Sequence, residues 1–273
     1  MPVDATITSR TNPLYKRLRS LKERGADREL CLLEGPTLVL EALAAGVVVV
    51  EAAASRDAES SPGCAPALAA LRASGVPLRR TTAGMLDALS EMETSQGLLA
   101  LARRPSFDEA RLFAGTPLVL VAQGVQNPGN LGGLLRSAEA AGATGAYLTA
   151  GCADPFSWKA LRGSMGSAFR LPHARGLAIA DALDRLAARG IALLATAADG
   201  ELRYDQADLR GPVAVLVGGE GAGLAPELQR RAAHRLRVPV ARPVESLNVG
   251  VAAALVLYEA ARQRRFPGTG AAR

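Results

Sequence analysis

The chain has 273 residues, 49% of them hydrophobic and 21% charged, which excludes a disordered polymer and fits a globular protein of one or two domains. Aromatic residues supply only 4%, so the core must be built from Ala, Leu and Val. The formal net charge is +6, with 13 basic and 12 acidic side chains in residues 1–105 and 19 and 14 in residues 106–273, a balance that suits an anionic partner without naming one.

Strand-like and helix-like segments alternate along the chain, which predicts an α/β architecture. A basic helix is predicted over 13–24, then a strand over 30–33. Pro36 opens a helix to residue 45, and the β-branched run 47–50 predicts a buried strand. Helices over 65–73 and 83–89 flank a strand over 76–79, and a strand over 97–102 closes this part. The polar, Pro- and Gly-flanked stretch 106–116 is read as a linker between an N-terminal α/β domain, 1–105, and a second domain, 117–273. In that second part, strands are predicted over 118–122, 146–149, 169–172, 191–196, 213–217 and 236–240. Helices are predicted over 129–141, 179–188 and 248–262, with 151–166 irregular or short-helical.

Cys31, Cys64 and Cys152 are far apart and form no CxxC pair, which excludes a disulfide framework and points to a reducing compartment. His173 and His234 are isolated, so no metal is expected. The sequence has no apolar run of membrane-spanning length and no signal-peptide core at residues 1–10, so the expectation is a cytoplasmic protein without a membrane partner.

Three polar, Gly-rich patches each follow a predicted strand. They are Gln126-Asn127-Pro128-Gly129-Asn130-Leu131-Gly132-Gly133-Leu134-Leu135-Arg136-Ser137, Leu216-Val217-Gly218-Gly219-Glu220-Gly221-Ala222-Gly223-Leu224, and Arg237 to Ala252, which contains Ser246-Leu247-Asn248. The carboxyl ends of strands in an open α/β sheet are where ligands collect, because loop backbone and free helix-start amides converge there. The glycines permit close backbone approach to a ligand. The second patch fits neither GxGxxG nor GxxxxGK[ST], which argues against a nucleotide-phosphate cradle. Read singly, the residues have plain roles: Asn130, Ser246 and Asn248 as helix caps, Arg136 as a surface residue pairing with Glu139 or Glu220, and Glu220 as an acceptor for loop amides. Their joint occurrence favours a site.

Together the patches resemble the three motifs of the SpoU (TrmH-type) branch of the SPOUT RNA methyltransferases. Asn130 and Arg136 match the first, Val217, Gly218, Glu220 and Gly223 the second, and Pro239, Ser246, Leu247, Asn248 and Val249 the third. The resemblance covers Leu118 to Ala261, and the opening of the chain is similar to the small RNA-binding domain that many members carry. Arg242 stands where the family usually has Gly, Val238 and Val240 replace the commoner Ile and Met, and Asn127 sits where Asp is frequent. The resemblance implies a parallel-sheet domain with a deep trefoil knot, a homodimer, and S-adenosyl-L-methionine as cofactor. It further implies methyl transfer to a ribose 2′-hydroxyl of RNA, with rRNA favoured over tRNA. Cofactor contacts carry over to Gly218, Gly219, Val238, Leu247 and Asn248, and the catalytic set to Arg136, Asn130, Glu220, Ser246 and Asn248. A guanidinium stays protonated far above neutrality, so Arg136 is assigned to the RNA phosphate and the hydroxyl rather than to proton removal. Arg10, Lys16, Arg17 and Arg19, in the densest basic run, are expected to track RNA phosphates. The alternative reading is a catalytically silent RNA-binding protein on a knotted scaffold.

Overall fold

The computed structural model describes residues 6–24, 28–90, 92, 95–219 and 223–266. The chain divides into two compact units, one of Met1–Ser106 with Phe156–Phe169, the other of Phe107–Pro155 with Arg170–Arg273.

In the first unit, chain order runs α1 (Pro13–Arg24), β1 (Leu30–Glu34), α2 (Pro36–Ala44), β2 (Val49–Ser55), α3 (Arg56–Ser60), α4 (Ala65–Ala73), β3 (Leu78–Thr81), α5 (Ala83–Asp87) and β4 (Leu98–Arg103). The four strands form a mixed sheet ordered β1-β4-β2-β3, with β2 and β3 parallel and the β4 pairings antiparallel. Leu14, Tyr15 and Leu18 of α1 pack with Leu32, Leu99 and Leu101 of the sheet. The strand predicted over 47–50 instead runs to Ser55 through Ala52, Ala53 and Ala54, all buried. Alanine gives little strand signal, but a small side chain fits a strand paired on both edges and covered on both faces.

The second unit contains β5 (Leu118–Gln123), α6 (Pro128–Ala140), β6 (Gly145–Thr149), β7 (His173–Leu177), α9 (Ile179–Ala187), β8 (Ala192–Thr196), β9 (Leu202–Arg203), β10 (Val213–Gly218), α10 (Pro226–Arg230), β11 (His234–Arg237) and α11 (Val249–Gln263). The short helices α7 (Trp158–Ser164) and α8 (Ser167–Arg170) lie between β6 and β7. Its seven strands are ordered β7-β6-β5-β10-β8-β11-β9, and every pairing is parallel. The continuous apolar runs of β5 and β10 are buried throughout and pair in register from Val213 opposite Leu118, as the central strands of a doubly covered parallel sheet must be. Leu183 and Leu186 of α9 pack on Val119, Val121 and Leu216, while α11 lies against α6 and β10.

Further readings change. The stretch 106–116, expected as a linker, contains a 3-10 helix, Glu109–Phe113, whose Leu112 is buried in the second unit's core. The segment 156–169, expected with the second domain, groups with the first unit, where Trp158 Nε1 donates to Glu34 Oε2 at 2.5 Å. The strand predicted over 169–172 is the end of α8, and the strand itself starts at His173; Phe169 and Leu171 alternate like strand residues but are buried by a helical turn and the residues after it.

Candidate active site

The ends of β8, β10 and β11 lead into loops that line one cavity of about 560 Å³. Its lining includes Gly218, Gly219 and Gly223 after β10, Val238 and Val240 after β11, and Ser246, Leu247 and Asn248 at the start of α11. Two glycines are required by packing. A Cβ on Gly218 would lie 2.6 Å from the Gly223 carbonyl carbon, and one on Gly219 would lie 2.4 Å from Gly124 O. Those contacts are with backbone, so the wall can be this thin only without side chains. β11 ends at Arg237 rather than at the expected Val240, because Pro239 has no N–H for a ladder. This releases Val238 and Val240 to line the cavity.

Two helix starts meet beside it. Asn127, not Asn130, caps α6: its Oδ1 accepts from Gly129 N at 2.8 Å and Asn130 N at 3.2 Å. Asn248 caps α11 by accepting from Gly250 N at 2.9 Å, and its Nδ2 donates to Asn130 Oδ1 at 3.3 Å. Asn130 is therefore free of capping duty and faces the other helix start. Ser246 is exposed on the cavity lining.

Arg136 is exposed on α6 and makes no hydrogen bond or ion pair among the described residues. The partner suggested by spacing, Glu139, is instead held by Arg170 through a two-bond fork, Nε to Oε1 at 2.7 Å and Nη2 to Oε2 at 2.9 Å. Glu220 lies outside the described residues. Arg10, Lys16, Arg17 and Arg19 are exposed on or just before α1. Lys22 of the same run serves the fold, donating to Ser90 O at 3.0 Å and Ala88 O at 3.4 Å.

One wall of the cavity went unforeseen. Thr196, the last residue of β8, Ala197 to Asp199 after it, and Gln229, on α10, add to the lining. Arg235 of β11 joins them, with Nη1 donating to Asp199 Oδ2 at 3.1 Å and Gln229 Oε1 at 3.4 Å, and Nε to Glu201 Oε2 at 3.0 Å. The Arg235 backbone N–H on its carboxylate pulls Glu201 below the usual carboxylate range. The sequence signal was Gly200 between two acids: a Cβ there would lie 2.7 Å from Arg235 O. Among the described residues there is no His/Cys/Asp/Glu cluster able to hold a metal ion.

Residues 117–258 match the SpoU rRNA Methylase family. The chain belongs to this family. The relatives extend beyond the matched region. The 23S rRNA (guanosine(2553)-2′-O)-methyltransferase RlmP of Bacillus subtilis is 33% identical over 89% of this chain and 93% of its own. The solved structure of an RNA 2′-O ribose methyltransferase is 37% identical, covers 96% of this chain and 100% of its own, and superposes with a TM-score of 0.81. The AdoMet-bound rRNA methyltransferase of Sinorhizobium meliloti is 29% identical, covers 94% and 97%, and has a TM-score of 0.82. The parallel-sheet unit is thus a SpoU methylase fold, and like these relatives the chain adds an N-terminal unit to it.

Proposed function

We propose that this SpoU family member transfers a methyl group from S-adenosyl-L-methionine to a ribose 2′-hydroxyl of RNA, with rRNA the favoured substrate and tRNA the second choice. The observation that carries the reading is the convergence of Gly218, Gly219, Val238, Leu247 and Asn248 on one cavity, beside the Asn130–Asn248 bridge and on the domain that carries Arg136. The cavity's volume, about 560 Å³, falls in the roughly 300–1,000 Å³ range of small-molecule sites. Its backbone walls and the apolar Val238 and Leu247 suit a ligand with a flat base and a polar tail. The cofactor supplies an electrophilic methyl group on sulfur.

The chain's own residues do the rest. Arg136 binds the RNA phosphate and polarises the 2′-hydroxyl, whose proton leaves to phosphate or water, since a guanidinium is too basic to accept it. Asn130, Ser246 and Asn248, with Glu220, hold the ribose in line. The exposed Arg10, Lys16, Arg17 and Arg19 engage the RNA backbone.

The assembly belongs to the same proposal. A second cavity of about 560 Å³ runs along α6 and α11, lined by Gly133, Ser137, Val251, Ala254, Leu255 and Tyr258. Val251 and Tyr258 are 49% and 45% exposed, an apolar face that a second copy would cover. The trefoil knot that the family resemblance implies belongs to this proposal as well. The three free cysteines, and the absence among described residues of a helix long and apolar enough to cross a membrane, are compatible with work in the cytoplasm.

The deciding experiment is transfer from labelled S-adenosyl-L-methionine into total tRNA and, separately, unmodified rRNA, followed by nucleoside mass spectrometry. A 2′-O-methylated nucleoside from one pool establishes reaction and substrate class together. No incorporation in either pool or in ribosomal particles, with cofactor binding intact, overturns the reading in favour of a silent scaffold.

A further inference from the structure

We infer that Arg170 is a positioning residue whose task is to keep the Glu139 carboxylate off Arg136. The inference rests on the phosphate-binding role given to Arg136 above. Residues three apart on a helix are surface neighbours, and an acid and a base at that spacing pair readily. Arg136 and Glu139 stand at this spacing on α6, so the helix alone would place a competing anion beside the guanidinium that must grip a phosphate. The pair does not form. Arg170, the last residue of α8, takes both Glu139 oxygens at 2.7 and 2.9 Å, with both side chains about two-thirds buried, at 34% and 29% exposure. A bidentate guanidinium–carboxylate fork fixes direction as well as charge. It neutralises the acid beside an RNA-binding surface and leaves Arg136 without a protein partner among the described residues.

The geometry also says why position 170 is Arg. An ammonium at this site would neutralise Glu139 but would occupy it through one point contact, leaving one oxygen to swing toward Arg136. Glu139 is thus a liability created by helix spacing, and Arg170 removes it.

The test compares R170M, R170K and the double variant R170M/E139Q with the starting protein. R170M releases Glu139, and methyl transfer to RNA should fall roughly three- to tenfold in kcat/KM, between the effect of an exposed helical pair and that of a half-buried charge. Cofactor affinity by calorimetry should not change. R170M/E139Q removes the liberated carboxylate and should return the rate to within about twofold of the starting protein, with R170K in between. An activity-independent readout follows the Arg136 Nε–H resonance, assigned by its loss in R136K. That resonance should shift and exchange more slowly in R170M and return in the double variant. A double variant as slow as R170M, or an R170M protein with unchanged rate and unchanged Arg136 resonance, overturns the inference and leaves Arg170 a structural residue. If R136A methylates RNA normally, or the starting protein does not methylate it, the role of Arg136 fails separately. The resonance then still decides whether Arg170 governs the Arg136–Glu139 pair.

Discussion

Asn248 and Asn130 are 118 residues apart in the chain and touch through their side-chain amides at 3.3 Å. The contact ties the first turns of α6 and α11 together while Asn248 also caps its own helix. Each helix start carries unsatisfied N–H groups and the positive end of a helix dipole. One side chain therefore fixes how two such ends are presented at the cavity rim.

This double duty can be split by substitution. In Asn248→Asp the cap acceptor remains, but the donor to Asn130 is lost, and a contact survives only if the Asn130 amide turns out of its present orientation to donate instead. Stability should stay within about 0.5 kcal/mol, while methyl transfer falls by about tenfold or more, since breaking a charge-facing contact costs of order 1–3 kcal/mol. In Asn248→Ala both bonds go, and unfolding free energy should drop by about 1–2 kcal/mol as well. Denaturant unfolding and initial rates on the two variants check this; an aspartate variant with full activity would show that the bridge to Asn130 is incidental.

The thin cavity wall gives a second prediction. Gly219→Ala drives a Cβ to 2.4 Å from Gly124 O, whereas Gly211→Ala meets nothing within 4 Å. The first should destabilise by about 1–3 kcal/mol and weaken cofactor binding by about tenfold or more, because the backbone must retreat into or out of the cavity. The second should be neutral or gain up to about 1 kcal/mol through a less flexible unfolded chain. Calorimetric titration with S-adenosyl-L-methionine on both variants decides. Equal affinity in the two would mean that the cofactor does not use this wall.

The strands β5 and β10 were legible because five or six consecutive apolar residues between polar loops leave few alternatives to a buried strand. The start of α11 was legible from Asn248 before an apolar run. What escaped was set by contacts between distant segments. The Ala52–Ala54 part of β2 is a strand because β3 and β4 pair with it, not because alanine favours one. Asp199 reaches the cavity because β8 lies between β10 and β11 in the sheet, an adjacency no local pattern reports. Spacing suggested a bond from Arg136 to Glu139, and only the fold brings Arg170 close enough to take Glu139 away. Asn127 and Asn130, three residues apart, both suit a cap, and their hydrogen bonds alone separate the capping residue from the one that faces Asn248.

His173 makes stability depend on pH. It is buried in β7, its Nδ1 bonds Leu171 O at 3.0 Å, and Phe107 packs on its ring with centroids 4.8 Å apart. Burial holds the imidazole neutral and lowers its pKa to about 4. The unfolded chain, with an ordinary value of about 6.5, binds the proton more readily between these limits. The stabilising contribution is therefore complete above about pH 6.5 and is lost as pH falls toward 4. Between pH 7.5 and 5 this group should cost about 2 kcal/mol of unfolding free energy. Urea titrations at the two pH values should show that loss, and His173→Gln should flatten it. An unchanged slope in the variant would assign the acid sensitivity elsewhere.

The face formed by α6 and α11 gives the last prediction. Val251, Ala254, Leu255 and Tyr258 recur at the spacing of one helix side, and Gly133 and Ser137 of α6 lie beside them. A face this apolar is costly in water, yet its residues do not fill the unit's own core: Val251 and Tyr258 stay about half exposed. Val251→Asp combined with Tyr258→Asp should therefore leave the unit folded, with a change within about 0.5 kcal/mol, as for surface substitutions. It should nevertheless convert the proposed dimer into a monomer, because a paired apolar interface cannot bury two uncompensated carboxylates per copy. Sedimentation velocity reads the mass, and methyl transfer reads the consequence. Loss of the dimer with loss of activity and retained cofactor binding means that the substrate site is completed by the second copy. A monomer with full activity means that pairing serves another purpose, and an unchanged dimer means that the copies meet through a different face.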